Sequence, residues 1–331
     1  MNVIAASPDI YPQKLDLGQQ RVLMIRMTQA DYRAASFLDD RMLTAETQGR
    51  WIALEAVLAQ ASQVHCKPLH YIFHLGHAGS TLLSRLLAET ADVNSLREPL
   101  PLRTLADAFD KPEPNLLRDM AFEAFLNLWS RGYAETRAVV LKTTSNTARI
   151  GAQLLDARPD SRAVYLSLSA TRSIETLLSG QSSAVDINLW GSGRFERLKT
   201  LLAEHEVARP QTLGELAAMT WLVERLTCQD LRRRFGERLL QLDFEDFLTD
   251  MRANLERVLS HFGLDTSRVD AALQSPLLTH YSKKPSRPYS AQQRAQVLAE
   301  TRVLQAEEIS RAHAWLEGLA AQHESVADLL A

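Results

Sequence analysis

The stretch YIFHLGHAGSTLLSRLL, residues 71–87, decides the fold of this chain. It opens with an apolar run that ends at Leu75, passes through a loop with two glycines, and continues with leucines at helical spacing from Leu82. This order predicts a strand, a glycine loop and a helix. Glycine lets backbone amides turn inward, and the first helical turn carries N–H groups with no partner inside the helix. The stretch therefore predicts an anion site, most naturally for a phosphate.

The alternative to a phosphate site is an ordinary strand-to-helix turn. The residues of the loop indicate which kind of site is present. A nucleoside-triphosphate loop needs a lysine between its last glycine and its Ser or Thr, whereas Ser80 directly follows Gly79 here. The loop instead resembles the 5′-phosphosulfate loop of the sulfotransferase family. Five positions fit that family's pattern: Ala78, Gly79, Ser80, Thr81 and Leu83. His77 stands where the family has Arg or Lys.

Length, composition and charge indicate a well-packed globular chain. Its 331 residues suit one large α/β domain or a core domain with a helical subdomain, and 46% of them are hydrophobic. The formal net charge of −3 provides no basic field for nucleic acid or an acidic membrane, so an anion site must be a local basic pocket. Cys66 and Cys228 lack metal-ligand spacing, which is typical of free thiols in a reducing compartment.

The sequence carries no visible secretory signal and no apolar run of membrane-spanning length. We therefore expect a cytoplasmic protein with no nucleic-acid partner and no membrane partner. The oligomeric state has no signal in the sequence.

Strands and helices alternate after the glycine loop. Short apolar runs predict strands at 93–96, 138–142, 162–168 and 239–243, with helices between them. This alternation predicts right-handed crossovers and an α/β fold with a mainly parallel sheet flanked by helices.

The remaining segments are interpreted as additions to this core. Residues 1–68 form an N-terminal extension or lid, and 69–331 form the α/β domain, which includes a helical insert at about 181–235. Finer expectations are a loose arm at 1–19, helices at 28–38 and 45–64, and a mobile loop at 181–193. A charged group in the lid could contact substrate, with a solvated helix face as the alternative: Asp31, Arg33, Asp39, Asp40 and Arg41.

The order of elements resembles the sulfotransferase family over roughly residues 69–320. The turn at Arg97, Glu98 and Pro99 looks like that family's Lys/Gly-Glu-Pro turn, whose glutamate is the general base in several members. Lys142 ends its strand before Thr-Thr-Ser and looks like the family lysine that lies near the sulfuryl group. The resemblance implies a P-loop NTPase-like sulfotransferase fold, in a bacterial-type member with a divergent loop.

The implied activity moves a sulfuryl group from 3′-phosphoadenosine 5′-phosphosulfate, the co-substrate, to a hydroxyl or amine of a small molecule or metabolite. Transfer is in line and needs no metal. Glu98 is the expected general base, with His74 and His77 as rivals. Lys142 and His77 are the expected cation and donor at the transferred group. A carboxylate beside an anionic donor needs a nearby cation, so Arg97 or Lys142 is expected within ion-pair reach of Glu98.

Binding of the nucleotide is expected to involve the whole loop and a separate basic group. Where the family has an arginine for the 3′-phosphate, this chain has Ser169, so Arg172 and the basic loop at 283–287 are expected to take its place. The expected nucleotide-binding residues are Gly76, His77, Ala78, Gly79, Ser80, Thr81, Leu82, Arg172, Lys283, Lys284 and Arg287.

Two other functions stay open. His77 and Ser169 favour a catalytically degraded sulfotransferase fold that binds a nucleotide or a partner without turnover. A nucleotide- or phosphate-transferring enzyme of the P-loop class is the other alternative. The missing loop lysine and the lack of an obvious Walker-type aspartate argue against it.

Overall fold

Three β-sheets occur in the computed structural model, which describes residues 3–90, 92–111, 113–203, 207–275, 278, 280–281, 284–288 and 291–331. The strands are β1 Ile10–Asp16, β2 Arg21–Arg26, β3 Gly49–Ala53, β4 Leu69–His74, β5 Val93–Arg97, β6 Ala138–Lys142, β7 Ala163–Ser167, β8 Leu239–Asp243, β9 His280–Tyr281 and β10 Lys284–Pro288. The small sheets have the orders β1-β2-β3 and β10-β9, and the large sheet has the order β5-β6-β4-β7-β8.

Helices fill most of the chain between the strands. They are α1 Val3–Ala6, α2 Gln29–Ala34, α3 Leu54–Ala61, α4 Ser80–Glu89, α5 Leu100–Phe109, α6 Leu116–Trp129, α7 Gly151–Ala157, α8 Ala170–Leu178, α9 Gln181–Leu202, α10 Leu213–Phe235, α11 Phe244–Thr249, α12 Met251–His261, α13 Val269–Leu273, α14 Ala291–Leu304, α15 Ala306–Ala320 and α16 Glu324–Leu330. Short 3₁₀ helices span Asp40–Met42, Ser145–Ile150 and Gly236–Arg238. The predicted α/β class, with a mainly parallel sheet flanked by helices, is confirmed.

Three neighbouring strands of the large sheet are buried along their whole length. Every residue of β4, β5 and β6 is buried, which is typical of parallel strands between helices. β6 runs parallel to both neighbours, and Lys142 pairs in register with Ile72 of β4 and with Arg97 of β5. The carboxyl ends of these three strands therefore lie level, at the edge where open α/β sheets bind ligands.

The chain divides into two compact units. The first contains Met1–Phe73, Ser80–Val164 and Asp250–Arg287, and the second contains His74–Gly79, Tyr165–Thr249 and Pro288–Ala331. The small β1-β2-β3 sheet and the paired strands β5 and β6 belong to the first unit, and α8, α9 and α10 belong to the second. The division into an extension at 1–68 and a domain at 69–331 stays a prediction.

Three local expectations are wrong. Residues 10–16 form β1 rather than a loose arm, because they pair with β2 and bury Tyr11 and Leu15. The helix expected from 45 begins only at Leu54, because Gly49–Ala53 pairs with β2 as a third strand. Residues 181–193 lie within α9 instead of a mobile loop, because Ile187 and Leu198 are buried along this helix.

Candidate functional site

The glycine loop between β4 and α4 has a left-handed backbone at three residues. Gly76, His77 and Gly79 have φ angles of 93°, 53° and 67°. Glycine adopts such angles without steric cost, whereas they are uncommon for residues with a side chain, histidine included. The N–H of Gly76 donates to Nδ1 of His74 at 3.0 Å, so His74 supports the start of the loop.

Phe244 explains why residue 79 is glycine. A Cβ atom at Gly79 would lie 1.9 Å from Cε2 of Phe244, so the ring packs directly against the loop backbone. The guanidinium carbon of Arg294 lies 5.4 Å from the centroid of the same ring, and Arg294 pairs with Glu245. Arg294 is therefore a cation near the loop that sequence reasoning missed, because nothing in the sequence of α14 distinguishes it from a solvated arginine.

The first turn of α4 contains a buried hydroxyl without a partner. Ser80 and Thr81 are 5% and 3% exposed, Ala78 is buried and Leu82 is half-buried. Within the residues that the structure describes, Oγ1 of Thr81 has no hydrogen-bond partner. An unsatisfied buried polar atom costs about 1–3 kcal/mol. An anion accepting hydrogen bonds from Thr81 and from the first-turn amides would remove that cost, so the residues present fit a phosphate.

His77, the divergent loop residue, bonds to a serine on α9. Its Nε2 lies 3.2 Å from Oγ of Ser183, which is 2% exposed. A serine hydroxyl can donate to a neutral imidazole or accept from a protonated one, so this bond holds the ring in either charge state. The segment expected to be a mobile loop thus contributes to the orientation of His77.

Lys142 and Glu98 form a buried ion pair at the ends of β6 and β5. Nζ of Lys142 donates to Oε1 of Glu98, and the N–H of Glu98 donates to the carbonyl of Lys142 at 2.7 Å. Burial lowers the pKa of the Lys142 ammonium, and the charge of Glu98 opposes this effect. Glu98 has a φ of 56°, a left-handed angle that costs about 1–3 kcal/mol and is concentrated at functional sites.

Two arginines approach the other oxygen of Glu98. Nη2 of Arg41 lies 3.3 Å and Nη2 of Arg103 lies 3.8 Å from Oε2 of Glu98. Asp39 binds both guanidiniums, at 2.6 Å for Arg41 and 3.4 Å for Arg103. We call these five residues the charged cluster: Asp39, Arg41, Glu98, Arg103 and Lys142. The sequence pointed to Asp39 and Arg41, whereas Arg103 had no signal beyond its place in the helix after Pro99.

Arg97, the neighbour of Glu98, binds backbone carbonyls. Its guanidinium donates to the carbonyl oxygens of Ala35 at 2.7 Å and Arg33 at 3.1 Å, and to that of Tyr32. Burial lowers the pKa of Arg97 to about 9. Lys142 therefore supplies the cation expected beside Glu98, and Arg97 holds the end of α2.

The residues expected at the 3′-phosphate are placed only in part. Arg172 lies on α8, where Nη1 is 3.3 Å from Oε2 of Glu175. Ser169 caps that helix by accepting from the N–H of Arg172 at 3.3 Å, so a structural role accounts for the serine. Lys283 and the side chains of Lys284 and Arg287 lie outside the described residues.

The described part of the chain has neither a metal-binding group nor a membrane-spanning helix. No group of three or more His, Cys, Asp and Glu side chains there is arranged to hold a metal ion. None of its helices combines the length and apolar character needed to cross a membrane. Cys66 and Cys228 are free thiols.

No protein-family model and no curated protein matches this chain. Solved structures do match. The sulfotransferase domain from the curacin biosynthetic pathway is 16% identical, over 71% of this chain and 96% of that domain, with a TM-score of 0.38. Sulfotransferase STF1 from Mycobacterium tuberculosis is 14% identical, over 77% of this chain and 82% of that one, with a TM-score of 0.41.

A retinol dehydratase, in complex with androsterone and the inactive cofactor PAP, also matches. It is 11% identical, over 83% of this chain and 87% of that one, with a TM-score of 0.37. The matched sulfotransferases bear the name of the family that the sequence motifs resemble. At such low identities and TM-scores, the likeness assigns no role to any residue of this chain.

Proposed function

We propose that this protein is a sulfotransferase, which moves a sulfuryl group from 3′-phosphoadenosine 5′-phosphosulfate to a hydroxyl or amine. The start of α4 carries this proposal. There, the buried hydroxyl of Thr81 lacks a partner among the described residues, directly after a glycine loop with left-handed backbone at Gly76 and Gly79. Both features suit a tightly held phosphate.

The cations of the chain suit a sulfate donor better than a nucleoside triphosphate. The loop has no lysine after Gly79, so nothing in it would reach a terminal phosphate. A terminal phosphate carries about −1.5 to −2 charges at neutral pH, and a sulfate ester carries less. The buried ammonium of Lys142 would then stabilise the negative charge on the leaving oxygen.

Each residue has one task in the proposed reaction. The donor supplies an activated sulfuryl group, whose bond to the bridging oxygen breaks as a bond to the acceptor forms. Ser80, Thr81 and the loop amides hold the 5′-phosphate, and His77 donates to the anion. Lys142 stabilises the charge that grows on the bridging oxygen, and Glu98 takes the acceptor's proton.

Basic side chains from several segments of the chain are proposed for the 3′-phosphate. The sequence indicates four of them: Arg172, Lys283, Lys284 and Arg287. Arg294, above the Phe244 ring, is a further candidate. Arg172 and Arg294 each already pair with a glutamate, so a phosphate there would share or replace an existing ion pair.

A non-catalytic nucleotide-binding protein is the second candidate. Two observations favour it: the imidazole of His77 is engaged by Ser183, and Ser169 serves as a helix cap where the family has its phosphate-binding arginine. Such a protein would bind the nucleotide at the same loop and form no product.

Calorimetric titration separates these functions. We expect 3′-phosphoadenosine 5′-phosphate to bind with EDTA present, and ATP with magnesium to give no response. Preference for ATP would overturn the proposal in favour of a P-loop enzyme. Binding of the bisphosphate, with no sulfated product across a broad acceptor screen using labelled donor, would support the non-catalytic alternative. A Thr81→Val variant should bind the bisphosphate more weakly, and Thr90→Val, directly after the last residue of α4, is its matched control.

A further inference from the structure

The charged cluster contains more positive than negative charge. Its three cations are Arg41, Arg103 and Lys142, and its two carboxylates are Asp39 and Glu98, which leaves an excess of one positive charge at neutral pH. Lys142 is buried, whereas the side chains of Arg41 and Arg103 are 52% and 36% exposed. The excess charge is therefore accessible on the two arginines.

Both arginines also retain unused hydrogen-bond donors. Arg41 binds Asp39 and Glu98 through Nε and Nη2, and Arg103 approaches them through Nη2 alone. Within the described residues, Nη1 of Arg41 and both Nε and Nη1 of Arg103 have no hydrogen-bond partner. A guanidinium with a free edge is suited to bidentate binding of a carboxylate or phosphate.

Phe37 holds one of these groups in place. The guanidinium carbon of Arg41 lies 3.4 Å from the centroid of the Phe37 ring, and the carboxylate of Asp39 binds the same guanidinium. A stacked and paired guanidinium loses less conformational freedom when it binds a further anion. The arrangement is therefore prepared for a ligand before the ligand arrives.

We propose that the acceptor is a small molecule that carries a carboxylate as well as the hydroxyl or amine that is sulfated, and that Arg41 and Arg103 bind this carboxylate. The inference rests on the proposed function, because Glu98 as general base marks the position of the acceptor's reacting group. Oε2 of Glu98 lies 3.3 and 3.8 Å from the two guanidiniums, so an acceptor at Glu98 places its neighbouring substituents on the arginines. The acceptor is thus a hydroxy acid or an amino acid derivative.

The test compares small hydroxy acids with their own methyl esters, which differ in charge and little in shape. Mandelate, 4-hydroxyphenylacetate and 4-hydroxybenzoate are titrated, each beside its ester, into protein with and without saturating 3′-phosphoadenosine 5′-phosphate. Variants are Arg41→Gln and Arg103→Gln. Arg233→Gln is the matched control, because this arginine of α10 is exposed and forms a surface pair with Asp230.

We expect at least one acid to bind at least about tenfold more tightly than its ester. Either glutamine variant should lower the affinity for that acid about 10- to 100-fold. Ester affinity, bisphosphate affinity and the Arg233→Gln control should not change. The proposal is overturned if no acid exceeds its ester, including when neither binds. It is also overturned if the variants weaken the bisphosphate as much as the acid, since the arginines would then serve the donor. An acid preference in protein that does not bind the bisphosphate would support the anion site and refute the donor assignment.

Discussion

Gly79 illustrates how one residue type can be required for two separate reasons. Its φ of 67° is unfavourable for any side chain, and a methyl group there would meet the Phe244 ring. We expect Gly79→Ala to lower the free energy of unfolding by about 2–4 kcal/mol. Urea denaturation measures this value.

The matched control is Gly193→Ala, an exposed position of α9 where a Cβ would meet nothing within 4 Å. Alanine is the better helix former, so this variant should be more stable by up to about 1 kcal/mol. Equal changes in the two variants would refute the packing explanation for Gly79.

Lys142 should matter for the rate more than for binding. We expect Lys142→Met to lower turnover by about two to three orders of magnitude, because its charge is needed most as the leaving oxygen becomes negative. Affinity for 3′-phosphoadenosine 5′-phosphate should change little. Glu98 keeps Arg41 and Arg103 as partners, which limits the loss of stability.

Steady-state kinetics with labelled donor gives the turnover of this variant. Lys199→Met, which removes a surface pair with Glu196, controls for the loss of a lysine as such. Turnover that stays at the level of the unaltered protein would remove Lys142 from the proposed chemistry.

Residues with a local chemical signature could be predicted from the sequence, and residues recruited through packing could not. Gly76 and Gly79 sit between a strand and a helix that their neighbours specify, so their positive φ angles were foreseeable. Arg103 and Arg294 lie on ordinary helices and gain their neighbours only when distant segments pack. The bond between His77 and Ser183 likewise joins residues 106 positions apart.

At the scale of elements, Arg97 connects β5 to the end of α2. Its guanidinium satisfies three carbonyl oxygens there, those of Tyr32, Arg33 and Ala35. We expect Arg97→Met to cost about 2–4 kcal/mol, because a buried cluster of carbonyls would lose its donor. Hydrogen exchange should also accelerate at the amides of α2.

Arg26→Met is the comparison for Arg97→Met. Arg26 is exposed at the end of β2, so its loss should stay within about 0.5 kcal/mol. Unchanged exchange in α2 after Arg97→Met would show that the helix end is held by other contacts.

The elements that were predicted well are those with a single burial pattern. β6 and β8 have the bounds that their short apolar runs indicated, because each run is buried over most of its length. β1 and β3 were missed, because their strand character comes from pairing with β2 rather than from their own composition. In α9, serines and glycines suggested a loop, and buried Ile187 and Leu198 outweighed them.

At the scale of the whole molecule, acid should destabilise the fold through His70. This side chain stacks on Phe262 and accepts the N–H of Arg162 at 3.1 Å. Burial lowers the pKa of His70 from 6.5 to about 4, so the folded state holds it neutral where the unfolded chain binds a proton. Neutral His70 therefore contributes to the free energy of unfolding above about pH 6.5. This contribution, up to about 3 kcal/mol, is lost as the pH falls toward 4.

Urea unfolding between pH 4 and 7 tests this expectation. His70→Asn keeps a hydrogen-bond acceptor for Arg162 and cannot be protonated. In this variant the free energy of unfolding should therefore fall less between pH 7 and pH 4, by up to about 3 kcal/mol. His65→Asn, at an exposed position, should keep the original slope. A parallel slope in His70→Asn and the unaltered protein would exclude His70 as the source.

The α/β class could be predicted because alternation of strands and helices is written along the chain. The two compact units could not be predicted, because each is assembled from three separate segments whose contacts no local pattern encodes.

The left-handed backbone of His77 and Glu98 has a consequence for laboratory evolution. Both residue types adopt such angles less readily than glycine and asparagine do. A codon library at both positions, selected only for heat resistance, should enrich those two amino acids. Selected for product formation, the same library should retain His77 and Glu98, and the difference between the two sequence pools would report how much rigidity the protein gives up for its chemistry.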